Sequence, residues 1–199
     1  MKKKILNCAE TIIRRNNPSY DNEKLEVIMY GLESLYLSIT KFIVITLVSI
    51  LLGIFYEYMI ILIIFNVIRL SGFGMHASKS NICLYASMAS FIIAPYVCSY
   101  FVLNTIIKVL IGIFCIINFM LYAPADTEKR PIVNPKRRMA YKIITTFISI
   151  IFTLIAVFIN NNFLSNAFLI GMIIEVILIH PLSYKVFNMS YDNYKKLKI

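Results

Sequence analysis

The 199-residue chain carries a net charge of +10, yet it is 59% hydrophobic with a mean hydropathy of +0.76. This composition is too apolar for an ordinary soluble domain, so the sequence predicts a polytopic membrane protein. The positive charge is compatible with nucleic-acid binding or with basic loops held on the cytoplasmic side. Because Lys and Arg cluster at the ends of apolar segments, we favour basic loops and expect no nucleic-acid partner.

Residues 1–36 are predicted to form two amphipathic interfacial helices rather than a secretory signal, because polar residues break the apolar run and no small-residue cleavage site follows. Asn17 and Pro18 end the first helix. A second begins at Ser19 or Asp21, with an apolar face that docks either on the protein's own bundle or on an amphipathic partner. The apolar residues at helical spacing in the first helix are Ile5, Leu6, Ala9, Ile12 and Ile13.

The remaining apolar segments predict an all-α integral membrane protein with about six transmembrane helices within a single domain, 1–199. A helix needs roughly 20 mostly apolar residues to cross the bilayer core. The six predicted spans are 37–56, 58–70, 82–103, 105–123, 142–159 and 163–184. The second is short, so it would tilt, form a re-entrant hairpin with the first, or thin the bilayer locally.

The basic residues predict the topology of this bundle, 37–184. With six spans, every basic cluster falls on one side of the membrane, which the positive-inside rule makes cytoplasmic. Both termini, the loop after the second span, the basic loop 124–141 and the basic tail 185–199 would then be cytoplasmic. The clusters comprise Lys2, Lys3, Lys4, Arg14, Arg15, Arg69, Lys79, Lys129, Arg130, Lys136, Arg137, Arg138, Lys142, Lys185, Lys195, Lys196 and Lys198.

The segment R-L-S-G-F-G-M-H-A-S-K-S-N-I-C, residues 69–83, suggests a cysteine nucleophile with its base. A thiol needs a neighbouring base to become a thiolate, and His76 can serve Cys83 in this way. On one straight helix the two would be about 10 Å apart, so we expect a bend. Gly72 and Gly74 would free the backbone, and a new helix would start with Ser78 or Ser80 as its N-cap. The helix dipole would then favour a thiolate at position 83. By spacing alone, a lone loop histidine and an inert cysteine would be the commoner explanation.

Other reactive residues have simpler interpretations. The four cysteines offer no metal-ligand spacing, so no metal is expected, and Cys98 and Cys115 are predicted core residues. His180 is predicted to be a packed interfacial histidine. Glu175 lies within a span, where it pairs with Arg69 or forms a polar wall for a substrate; we slightly favour pairing. The loop 124–141, kept non-helical by its prolines, is either an ordinary positive-inside loop or a receptor for an acidic peptide.

Three motifs follow one another along the chain. They are Arg69 with G-M-H-A at 74–77 and Cys83, then Y-A-P-A-D…K-R-P-I, and then G-M-I-I-E-V in the last span. In these motifs the chain resembles the accessory gene regulator protein B (AgrB) family of membrane endopeptidases, which mature peptide pheromones in Gram-positive bacteria. The resemblance covers essentially the full length.

The resemblance implies that Cys83 is the nucleophile and His76 the general base and later acid, with Arg69 and Gly74 at functionally important positions. Gly72 and Ser80 would support the loop geometry. The substrate would be an AgrD-type propeptide, cut before its acidic C-terminal tail and closed into a thiolactone or lactone ring in the bacterial cell membrane. No cofactor is implied, and a homodimer is compatible with the family. The residues expected to contact substrate are Lys129, Arg130, Lys136, Arg137, Arg138 and Glu175.

Two other classes of function remain open at this stage. A small membrane transporter or exporter of a peptide would explain the spans and Glu175, but it gives no reason for the histidine and cysteine motif. A non-catalytic membrane scaffold would explain the amphipathic N-terminus, and it predicts no covalent intermediate at Cys83.

Overall fold

The computed structural model describes residues 2–17, 19–75, 80–128 and 131–197, and within these ranges it gives only the backbone for residues 2–4, 23, 30, 34, 80–83, 196 and 197. Every regular element within these ranges is helical, which confirms the predicted all-α class. The chain forms two compact units, Met1–Val48 and Ser49–Ile199, and each is considered by itself.

The N-terminal unit begins with the predicted amphipathic helix, α1, Lys2–Asn16. Its exposed surface carries a Glu10–Arg14 ion pair one helical turn apart, with 3.2 Å between Oε1 and Nε. The next helix, α2, Asn22–Leu51, starts directly after Asp21. The Asp21 carbonyl accepts the first helical hydrogen bond from the Leu25 N–H at 3.0 Å. Asp21, one of the two predicted starting points, therefore begins this helix.

The predicted division between a second amphipathic helix and a first span at residue 37 is wrong. The two are one helix of 30 residues, α2. No proline interrupts this stretch of sequence, so nothing forces the backbone to break where the polar residues give way to apolar ones. The portion Lys24–Leu51 is long and apolar enough to cross a membrane.

The second unit contains the remaining helices. They are α3, Phe55–Gly72; α4, Ser80–Tyr100; α5, Thr105–Tyr122; α6, Pro135–Phe158; α7, Asn162–Ile179; and α8, Pro181–Val186, followed by a 3-10 helix, Asn193–Leu197. Together with α2, the helices α3, α5, α6 and α7 are long and apolar enough to span a membrane, and α4 has a shorter described apolar stretch, Leu84–Tyr100. The chain is thus a membrane protein.

The second and the last of the predicted spans differ in length from the observed helices. The second span, predicted as 58–70, is the 18-residue helix α3 and is therefore not short. It begins earlier because the turn before it lies at Gly53, whose φ of +71° suits glycine. The last span, predicted to reach residue 184, ends at Ile179, since Pro181 cannot continue the helical hydrogen bonding and instead starts α8.

The predicted non-helical loop 124–141 is also shorter than expected, because α6 begins at Pro135. Proline is tolerated at the first position of a helix, where its missing N–H would have had no helical partner. Asn134 caps this helix by accepting hydrogen bonds from the Lys136 and Arg137 N–H groups at 3.0 and 3.3 Å. The third proline of the loop is therefore a helix start rather than a helix breaker.

Helix α7 is the central element of the second unit and packs against α3, α4, α5 and α6. Near its start, the Asn166 amide donates to the carbonyls of Cys98 and Phe101 at 3.0 and 2.6 Å, where α4 ends. Near its last turn, the Leu178 carbonyl accepts from the Met75 N–H at 3.0 Å, ahead of the start of α4. Helices α4 and α7 are therefore antiparallel. We refer to the end of the bundle that holds Met75 and Leu178 as the site end.

Candidate functional site

The chain turns sharply where α3 ends at the site end. Phe73 and Gly74 follow the helix with φ values of +63° and +93°, and the Phe73 N–H closes the helix on the Arg69 carbonyl at 3.1 Å. Positive φ is common for glycine and rare for a bulky residue. The chain therefore turns before His76, and Phe73 rather than a glycine is the first residue of the turn. The predicted bend between His76 and Cys83 lies outside the described residues.

Two backbone hydrogen bonds hold the turn against residues 122–126, which we call the Y-A-P-A-D loop. The Gly74 N–H donates to the Ala125 carbonyl at 2.9 Å, and the Ala125 N–H donates to the Gly72 carbonyl at 3.0 Å. A Cβ at Gly74 would lie 2.9 Å from Arg69 Nη1 and 3.0 Å from the Leu178 carbonyl oxygen. Glycine is therefore needed at position 74 both for its backbone conformation and for close packing.

Arg69 joins the turn to helix α7. Its Nη1 donates to Glu175 Oε2 at 3.0 Å, and its Nη2 donates to the Met75 carbonyl at 3.0 Å. Glu175 is fully buried, and only 16% of the Arg69 side chain is exposed. The predicted structural pairing of these two residues is confirmed. The Met75 peptide groups are thus held on both sides, with the N–H on Leu178 and the carbonyl on Arg69.

Gly72 has a different role from the one expected. It lies within α3 and does not bend the backbone. A Cβ at this position would lie 2.6 Å from Glu175 Oε1, a separation that real Cβ atoms essentially never show. Gly72 therefore allows α3 to approach the buried carboxylate of α7 closely.

The two predicted catalytic residues flank the break in the chain between α3 and α4. His76, with Lys79 and the alternative N-cap Ser78, lies outside the described residues. The backbone of α4 begins at Ser80, which puts Cys83 in the first helical turn. Ser80 is thus the first helical residue rather than the predicted N-cap. The contact between the Cys83 thiol and the His76 imidazole stays a prediction.

Asp126, which the sequence analysis did not single out, organises the Y-A-P-A-D loop. This buried carboxylate accepts from the Asn193 N–H at 3.0 Å and the Tyr194 N–H at 2.9 Å. The Asp126 carbonyl accepts from the Tyr184 hydroxyl at 3.0 Å. Burial raises the pKa of Tyr184 above its usual range, so the hydroxyl stays protonated and can donate. An acid directly after an apolar Ala-Pro-Ala run was the available sequence signal.

The basic residues proposed to contact substrate differ in their surroundings. Lys136 and Arg137 are exposed on the first turn of α6. Arg138 points inward, with Nη1 3.8 Å from Asp126 Oδ2 and Nη2 3.5 Å from Asp192 Oδ1. Its guanidinium also stacks 3.7 Å from the centre of the Tyr194 ring. Arg138 therefore holds the C-terminal segment, and Lys129 and Arg130 lie outside the described residues.

The remaining reactive side chains have structural roles. His180 Nδ1 accepts from the Leu182 N–H at 3.2 Å, which caps α8, and the ring packs on Tyr122. The predicted packing role of His180 is therefore confirmed. Cys98 and Cys115 are free thiols with no exposed surface, which confirms that they are core residues.

Comparison with known proteins identifies the family. A family model described as Accessory gene regulator B matches residues 6–179. The chain belongs to the AgrB family. It is 31% identical to an AgrB-like protein of Listeria welshimeri over 94% of this chain and 92% of that protein. It is 30% identical to Accessory gene regulator protein B of Staphylococcus saprophyticus, over 91% of this chain and 94% of the relative. No solved structure matches.

The segments that carry the AgrB resemblance meet at the site end. Arg69 and Gly74 come from the first motif, Ala125 from the second and Glu175 from the third, and they are joined by the hydrogen bonds described above. Segments far apart in sequence thus converge on residues 72–75, directly before His76. The three family motifs therefore contribute residues to one region of the fold rather than to three separate regions.

Proposed function

We propose that this AgrB family member is a membrane-embedded cysteine endopeptidase with Cys83 as nucleophile and His76 as general base. One observation carries the proposal: the chain leading into His76 is fixed by Arg69, Ala125 and Leu178 at the end of the bundle where the helix bearing Cys83 begins. A general base must be within hydrogen-bonding reach of its nucleophile, so its backbone has to be held in place.

The first chemical step would form an acyl-enzyme. His76 takes the proton of the Cys83 thiol, and the thiolate sulfur attacks the carbonyl carbon at the scissile bond. The carbon–nitrogen bond breaks, and His76 gives the proton to the departing amine of the C-terminal tail. The N-terminal part of the propeptide is left on Cys83 as a thioester. The first turn of α4 favours the thiolate, because unpaired N–H groups there attract negative charge.

The second step would close a ring. A Cys thiol or Ser hydroxyl of the propeptide gives its proton to His76 and attacks the thioester carbonyl. The carbon–sulfur bond breaks, Cys83 regains a proton, and a thiolactone or lactone is released. The tethered nucleophile has a high effective concentration, which lets it outcompete water.

The substrate would be an AgrD-type propeptide with an acidic C-terminal tail. Lys136 and Arg137 support this assignment, because they are exposed cations on the first turn of α6, where the positive end of the helix dipole disfavours basic residues. An acidic peptide would relieve that unfavourable arrangement. Arg138 is excluded from this role by its contacts with Asp126 and Asp192.

The site end would face the cytoplasm. The described helix ends and loops there include Arg69, Lys136, Arg137 and Lys185. The opposite turn between α6 and α7 contains only the uncharged residues 159–161. By the positive-inside rule, this asymmetry supports a cytoplasmic site and a cytoplasmic C-terminus.

The test is co-expression of the chain with the propeptide encoded by the neighbouring small open reading frame. We expect tail removal by the parent protein and none by Cys83→Ala or His76→Ala. The matched controls are Cys8→Ser, at the exposed cysteine, and His180→Ala, at the only other histidine. Both controls should still cleave, and each variant should be recovered in the membrane at the parent's level.

Tail removal that persisted in Cys83→Ala would refute the endopeptidase assignment. A peptide exporter predicts that pheromone passage survives this substitution when an already matured peptide is supplied. A scaffold predicts that neither substitution changes anything except through loss of the protein. Measuring the released tail fragment distinguishes the endopeptidase from the exporter and the scaffold, because only the endopeptidase needs Cys83 and His76 to release it.

A further inference from the structure

We infer that Glu175 is a positioning residue for His76, acting through Arg69 on the peptide unit that follows Met75. This inference rests on the proposed function. Glu175 binds one arm of the Arg69 guanidinium, and the other arm binds the Met75 carbonyl. Because a peptide unit is planar, holding that carbonyl restricts where the next residue, His76, begins.

Helix α7 holds both of the peptide units that flank Met75. Leu178, one turn after Glu175, accepts the Met75 N–H at 3.0 Å. Glu175 reaches the Met75 carbonyl through Arg69. Arginine suits this bridge because its planar fork places two donors at fixed angles, whereas a lysine ammonium is a single point. The last turn of α7 thus fixes the backbone of Met75, the residue before His76.

The free energy of folding alone gives little reason to bury the ion pair between Arg69 and Glu175. Removing charges from water is costly, and replacing a buried ion pair by apolar residues is often neutral or stabilising. Glu175 is not fully satisfied, because its buried Oε1 has no hydrogen-bond partner among the described residues and faces Gly72. One carboxylate oxygen therefore orients Arg69. The desolvation cost of the other oxygen is not offset by a hydrogen bond from any described residue. A buried polar group that is not fully satisfied calls for an explanation other than stability, and the orientation of Arg69 supplies one.

The experiment measures two properties of full-length protein in a Cys8→Ser background, which leaves Cys83 and two buried cysteines. The first is the alkylation rate of Cys83 by iodoacetamide, which reports on the base beside the thiol without any propeptide. The second is the pair of constants kcat and KM for tail removal. The variant is Glu175→Gln, and the matched control is Asn166→Ala, which removes a buried polar group from the opposite end of α7.

For Glu175→Gln we expect kcat to fall by about 10- to 100-fold with KM changed by less than about twofold, because geometry rather than binding is lost. Alkylation of Cys83 should slow in parallel, and Asn166→Ala should leave both quantities near the parent values. If Glu175→Gln cannot be recovered folded, Arg69→Lys replaces it. This variant keeps the charge but loses the two-armed bridge, and the same two changes are expected.

Parent values of kcat and alkylation rate in the recovered variant would overturn the positioning role. Equal losses in Asn166→Ala would do so too, since they would reflect general destabilisation. The proposed function fails separately, if Cys83→Ala still removes the tail or if His76→Ala alkylates as fast as the parent. Glu175→Gln can thus behave like the parent while both of those variants are inactive, and only the inference would then be lost.

Discussion

Gly72 shows how a single hydrogen side chain controls the geometry of the site. It sits in α3 directly against the buried Glu175 carboxylate. The backbone there is helical, so glycine is not required for its conformation. It is required for space, because a larger residue would push apart the two helices that carry Arg69 and Glu175.

Gly72→Ala is therefore expected to destabilise the protein by about 1–3 kcal/mol, the usual cost of overpacking a core. Thermal unfolding of the purified protein in detergent measures this change. Gly31→Ala is the matched control, since it lies within α2 with nothing within 4 Å of the added Cβ. Alanine in a helix interior should be neutral or stabilise by about 0.5–1 kcal/mol. Equal effects of the two substitutions would contradict the crowding at Gly72.

Some residue roles could be predicted from the sequence and others could not. The pairing of Arg69 with Glu175 was predictable, because a carboxylate inside an apolar span needs a cation. The part played by Ala125 and Leu178 was not, since both act through backbone carbonyls that any residue possesses. The role of Asp126 was not predictable either, because an acidic residue in a basic loop gives no sign that it is a buried acceptor.

At the scale of elements, Pro181 and Pro135 each mark the start of a helix. Pro181 ends the last span by starting a new helix, whereas Pro135 begins α6 inside a segment expected to be irregular. The same residue type marks a start when an Asn or His cap precedes it, and both caps are present here. Reading each proline with its preceding residue would have placed both helix starts correctly.

Helix α6 provides the prediction at this scale. Lys136→Glu with Arg137→Glu places acidic residues at the positive end of the helix dipole, so the protein should be unchanged or slightly stabilised, by about 0.3–1 kcal/mol per residue. Tail removal should nevertheless fall, and the loss should shrink at high salt. Thermal unfolding and propeptide cleavage, measured on the same preparation, separate the two effects.

The control for this prediction is Lys185→Glu, an exposed cation of α8 at the same end of the bundle. It should leave cleavage near the parent rate. Normal processing by the α6 double variant would remove the role of this helix in holding an acidic tail, while leaving the proposed chemistry untouched.

At the scale of the whole molecule, the order of the long apolar helices followed from hydropathy, because long apolar stretches between polar breaks have few alternatives in a membrane. The convergence of these segments at the site end did not follow from hydropathy. The meeting of the turn after α3, the loop after α5 and the end of α7 depends on the packing of α7 against its neighbours. No pattern within a single segment reports that packing.

The arrangement of the bundle predicts which residues face the outside of the cell. In a Cys8→Ser background, Asn160→Cys at the turn between α6 and α7 should react with a membrane-impermeant maleimide on intact cells. Val186→Cys, an exposed position at the site end, should react only after the cells are opened. Labelling of Val186→Cys on intact cells would reverse the assigned orientation.

The most direct test of the central claim is to capture the acyl-enzyme. Parent protein mixed briefly with propeptide and quenched in acid should carry the N-terminal propeptide fragment on Cys83, as seen by mass spectrometry of the digested protein. Hydroxylamine should remove it, because it cleaves thioesters, and His76→Ala should not form it. Tail release without any adduct at Cys83, or continued tail release by Cys83→Ala, would contradict the account.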